Sequence, residues 1–90
     1  MSSLPLSPGT SPEAKAATRK MLDNEIAYLQ NSIQTHQKNI ADLQKSASTP
    51  SIGKNVPSMI AHEQRGIDLA NRAIQVLHDL EQYYKSRGWL

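Results

Sequence analysis

Ninety residues, with ten Lys plus Arg against eight Asp plus Glu, carry a formal charge of +2 and are 38% hydrophobic but only 4% aromatic, which bounds the chain to one small domain. There is no cysteine, so a disulfide framework, a cysteine-based zinc module and a thiol nucleophile are excluded. No window approaches the roughly 20 apolar residues of a membrane-spanning helix, and the opening stretch lacks the basic start and apolar core of a secretion signal, so a soluble cytoplasmic protein without a membrane partner is expected.

Residues 1–11 read as a flexible arm. Pro5, Pro8 and Gly9 stand among serines, and such a stretch does not repay its ordering entropy locally. Leu4 and Leu6 offer the alternative of docking on a neighbouring subunit. Ser11, Pro12 and Glu13 then signal a helix start: Ser accepts from a free amide, Pro suits the first helical position, and Glu complements the dipole.

The first helix is predicted over about 12–46. Leu22, Ile26, Leu29, Ile33, His36, Ile40 and Leu43 alternate in steps of four and three, a heptad seam with Ile at one core row and Leu at the other. The stripe is narrow and calls for a single partner helix. His36 interrupts it as a polar register-setter that finds a partner or edges out to water.

Residues 47–56, Ala47 to Val56, concentrate Ser, Thr, Pro, Gly and Asn and read as the turn, with Ile52 plugging the end of the seam. A second helix is predicted over about 57–86, capped by Asn55 or Val56, with a C-terminal tail beyond it. Its apolar geometry differs from that of the first. Ile60, Ile67 and Ile74 repeat every seven residues, Ala70, Leu77 and Tyr84 complement them, and Met59, Gly66, Ala73 and Leu80 form a further row beside Leu69, Val76 and Tyr83. At about 100° per residue these rows cover an arc of roughly 160°, more than one partner helix buries.

Met59, Gly66, Leu69, Ala73, Val76 and Leu80 are therefore read as an oligomer interface; a folded-back N-terminal arm is the other cover considered. Gly66 costs about 1 kcal/mol inside a helix relative to Ala, and close helix approach is the reason assigned to it here. The fold class expected is all-α: an antiparallel two-helix hairpin over residues 12–90 with a flexible Pro/Ser-rich arm, assembling into an oligomeric helical bundle. A single seam in so small a domain yields only about 3–5 kcal/mol, so a homodimer or larger is expected.

Chemistry is sparse. His36, His62 and His78 lack the spacing that sets two metal ligands on one helix face, and His62-Glu63 is not followed by a second His at the required distance; no metal, cofactor or catalytic residue is assigned. Asp23 with Glu25, and Asp79 with Glu81, diverge on a helix and read as surface charges. Two binding patches remain. Thr49, Ser51, Lys54, Ser58 and Arg65 at the loop end could form a small site for an anionic ligand at a helix start, or an ordinary glycine turn with a solvated lysine. Arg19, Lys20, Tyr83, Lys85, Arg87 and Trp89 mix aromatic and basic groups, suited to stacking on a nucleotide or anchoring a partner, or else Tyr84 enters the seam, Gly88 ends the helix and Trp89 with Leu90 folds back as a cap. A charge of +2 without a one-sided basic stripe is too little for a dedicated duplex binder and argues against nucleic acid as a partner.

No motif identifies a family. In architecture alone a cysteine-free hairpin resembles phage-type inhibitors, including oligomers that sequester nucleotides, and small assembly chaperones. That likeness implies a non-enzymatic homo-oligomer that sequesters or inhibits a protein partner or a small anionic ligand, in a host cytoplasm if phage-encoded. The alternatives are an assembly adaptor that pairs with a larger protein through the second helix, and a weak nucleic-acid binder acting through the C-terminal tail.

Overall fold

The computed structural model describes residues 9–51 and 53–90. The arm with Leu4 and Leu6, and Ile52, lie outside the described residues. Two helices make up the fold, α1 over Pro12–Lys45 and α2 over Val56–Ser86, joined by a loop that ends in a 3-10 turn at Gly53–Asn55. They pack antiparallel as an all-α hairpin of 60 × 17 × 16 Å. Among the described residues, the helix packed along α2 is α1.

The start of α1 is set by its sequence. Ser11 is extended (φ −67°, ψ 155°), its Oγ accepts from the Ala14 amide at 3.1 Å, and Pro12 opens the first turn, so an amide that the helix cannot satisfy is capped by the preceding side chain. At α2 the expected Asn55 cap takes another form. Asn55 has helical dihedrals (φ −92°, ψ −11°) and makes no side-chain cap bond; the 3-10 turn runs directly into the helix and replaces the capping side chain.

The far end of α2 closes by a Schellman motif. The Trp89 amide donates to the Tyr84 carbonyl at 2.9 Å and the Gly88 amide to the Lys85 carbonyl at 3.1 Å, while Gly88 takes the left-handed φ of 76°, where a side chain would collide with the backbone. The accompanying apolar contact is Trp89 against Tyr84, with ring centroids 5.8 Å apart and edge to face.

The seam of α1 faces the seam of α2. Fully buried among the described residues are Thr18, Leu22, Val56, Ala70 and Tyr84, whereas Ile26, Leu29, Ile33, Ile40 and Leu43 on α1 and Ile60, Ile67, Ile74 and Leu77 on α2 are only half-buried. Two helices without a third cannot enclose side chains of this length. Thr18 tolerates burial because its hydroxyl donates to the Ala14 carbonyl at 2.9 Å, which leaves no lost hydrogen bond to offset.

Candidate interaction surface

Charge enters the seam at two levels, and at both the heptad itself put it there. Arg19 continues the row of Ile26, Ile33 and Ile40, and Glu81 continues the row of Ile60, Ile67 and Ile74; the Arg19 guanidinium donates to the Glu81 carboxylate and, at 3.3 Å, to Asp23. His78 adds a contact to Glu81 at 3.5 Å. Nearer the loop, His36 stands in the row of Leu22, Leu29 and Leu43, and Glu63 in the row of Val56, Ala70 and Leu77. His36 Nδ1 pairs with the Glu63 carboxylate, which also accepts from Asn39 Nδ2 at 3.1 Å.

These partners act on the carboxyls in the same direction. The His36 hydrogen bond, aided by Asn39, holds Glu63 below the usual carboxylate range against the opposing effect of burial; Arg19, aided by His78, does the same for Glu81. His36 is thus the polar register-setter expected, with a partner on the opposite helix. Slipping the hairpin by one turn would separate both pairs and leave charge against apolar side chains, so the two layers fix the antiparallel register.

Gly66 acquires an intramolecular reason. A Cβ at this position would come within 2.6 Å of His36 Nε2, so the missing side chain is the space in which the His36 ring reaches Glu63. The sequence assigned Gly66 to contact between subunits; in the hairpin it first admits a side chain of its own chain.

The two flanks of the seam are unequal. On one side Glu25, Ser32 and Asn39 of α1 and Gly66, Ala73 and Leu80 of α2 are half-buried, while on the other Asp23, Gln30, Gln37 and Gln44 and Gln64, Asn71, His78 and Lys85 are exposed. Just outside the half-buried row of α2 lie Leu69, Val76 and Tyr83, exposed by 58%, 63% and 52%, and Met59, the loop-end member of the row itself, is exposed by 43%. Tyr28 of α1, 70% exposed, stands midway between the two polar layers. Read along α2, Gly66, Leu69, Ala73, Val76, Leu80 and Tyr83 recur in steps of three and four, a second heptad seam beside the first with no helix from the described residues on it.

The other two patches are organised less tightly. Thr49, Ser51, Lys54, Ser58 and Arg65 are all exposed; Ser58 Oγ donates to the Asn55 carbonyl at 3.1 Å, and Ser58 and Arg65 lie on the side of α2 turned away from α1. A shallow depression of about 370 Å³ opens nearby, lined by Leu43, Ser58, Met59, His62 and Glu63, but its carboxylate repels an anion. At the other end, Tyr84 is buried and Trp89 is half-buried over it, with Tyr83 6.0 Å from Trp89 between ring centroids and the Arg87 guanidinium 5.5 Å above the indole. Arg19 is held by Glu81 and Asp23, and Lys20, Lys85 and Arg87 are exposed. The alternative in which Trp89 caps the helix describes this end.

Among the described residues no group of three or more His, Asp or Glu is gathered that could hold a metal ion, and no helix is long and apolar enough to cross a membrane. No protein-family model, no curated protein and no solved structure matches the chain, so its function has to be argued from the surface itself.

Proposed function

We propose that this chain is a non-enzymatic helical binding protein that works in the cytoplasm as a homo-oligomer, with the second seam of α2 as the contact through which copies associate. The observation that carries this reading is the exposure of Leu69, Val76 and Tyr83 in register along one helix. Burying the exposed half of an aliphatic side chain here would gain about 1 kcal/mol. The thin core points the same way: a hairpin whose seam is mostly half-buried gains from further helices, and association is the remedy open to a chain without disulfides. Assembly is favoured over capture of a small anionic ligand, since Thr49, Ser51, Lys54, Ser58 and Arg65 are all exposed and the depression that Ser58 lines also carries the Glu63 carboxylate.

Sedimentation equilibrium at micromolar concentration tests this directly. The native chain is expected at twice the chain mass or more, and Val76→Glu is expected to shift it to monomer while circular dichroism still reports helix. A native chain that stays monomeric up to hundreds of micromolar overturns the proposal.

A further inference from the structure

Resting on that reading, the geometry points to one particular arrangement: two copies pair α2 to α2 antiparallel, with the two-fold axis level with Ile74 and Gln75, so that Arg72 of each copy meets Asp79 of the other. The argument begins with the apolar layers. In antiparallel helix pairs the two rows of a seam alternate across the interface, and this register sets Leu69 against Leu80 of the second copy and Val76 against Ala73. Tyr83 then meets Gly66, so large faces large at Leu69–Leu80, large faces small in the other two layers, and no layer sets two small residues against each other.

Charge decides between this register and its neighbours. Beside the Leu69–Val76–Tyr83 row runs Arg65, Arg72 and Asp79, and antiparallel pairing brings this flank against the same flank of the second copy. Among the described residues Arg72 makes no ion pair, and Asp79 accepts from the Gln75 amide at 3.1 Å without a cationic partner. With the axis level with Ile74 and Gln75, each Arg72 lies nearest Asp79 of the other copy, giving two opposite-charge contacts by symmetry. Sliding one heptad in one direction gives two Arg65–Asp79 contacts but also sets Arg72 against Arg72, and in the other direction it sets Asp79 against Asp79, so each slip adds a like-charge contact that this register lacks. A parallel pair would set the same flank against the row of Ala70, Leu77 and Tyr84, which offers no charge and is already turned toward α1.

The native chain has no cysteine, so single-cysteine variants cross-linked by a short bis-maleimide report the arrangement without background. A mixture of Leu69→Cys and Leu80→Cys is expected to give the mixed species, with neither variant cross-linking to itself. Self-cross-linking of Leu69→Cys would mean parallel pairing or an antiparallel register slipped by a heptad, and either overturns the inference while leaving self-association intact. Absence of any dimer in sedimentation would instead overturn the underlying proposal. As an independent reading, Arg72→Asp and Asp79→Arg are each expected to weaken dimerisation about tenfold, and the double exchange to restore it. Additive losses in the double variant, with helicity retained, would show that the two side chains do not meet and would overturn the register.

Discussion

The hairpin has two flanks built from the same helices, and they have opposite characters. Along one, Gln30, Gln37 and Gln44 of α1 stand beside Gln64, Asn71 and Lys85 of α2, all exposed. Along the other, the rows nearest the seam are half-buried, and past them Leu69, Val76 and Tyr83 stay in water. Polar and charged side chains on the first flank are satisfied by solvent and need no cover, whereas the second leaves apolar area exposed to water. The asymmetry lies on α2, which carries two apolar stripes where α1 carries one; in the proposed assembly the second stripe is the contact between copies.

The contrast can be tested in order of expected effect. Leu22→Ala strikes the seam that both flanks share: its side chain is completely buried, and removing it is expected to lower unfolding free energy by about 2–5 kcal/mol, read by urea denaturation. Gly88→Ala disturbs the turn that folds Trp89 over Tyr84 and braces Tyr83. With φ at 76°, the added Cβ is expected to cost about 1–2 kcal/mol, seen as a lower thermal midpoint. Gly66→Ala probes the half-buried flank. In an ordinary helix interior it would gain up to about 1 kcal/mol, yet here the Cβ presses on the His36 ring, and a net loss of about 1 kcal/mol is expected. Adding His36→Ala should turn that substitution back into a gain.

Acid probes the polar layers. Because Glu63 and Glu81 titrate lower in the fold than the usual carboxylate value of 4.5, the unfolded chain binds their protons first as pH falls. Their stabilisation is complete above that value and is lost as pH drops through the lowered folded values. Thermal midpoints recorded from pH 7 to pH 3 should fall, and less steeply in Glu63→Gln and Glu81→Gln. The smallest effect belongs to the solvated flank: Gln30→Ala or Asn71→Ala is expected to change stability by less than about 0.5 kcal/mol and to leave the oligomer mass unaltered.

Much of this was legible along the chain because helical periodicity is a local property. The start at Ser11 and Pro12, the narrow stripe from Leu22 to Leu43, the turn after α1 and the wider arc of α2 all follow from residue spacing within a segment. The Schellman end was legible as one of two alternatives, since Gly88 followed by an apolar residue is a local signal. Glu63 and Glu81 were missed as seam residues although the rows of Ala70 and Ile74 run straight through them. Their charge suggested surface, and only pairing with His36 and Arg19 makes a half-buried carboxylate tolerable there.

By itself, then, the sequence determined that two helices form, where each begins, and that the second carries more apolar arc than the first can cover. Tertiary structure decided which residues meet: His36 with Glu63 over Gly66, Arg19 with Glu81, Trp89 on Tyr84, and which flank of α2 remains exposed. The division has a physical reason. Backbone hydrogen bonds and side-chain period are set within a few residues, but the cost of a buried charge, and the room required for a ring beside a glycine, depend on groups that are tens of residues apart until the chain folds back on itself.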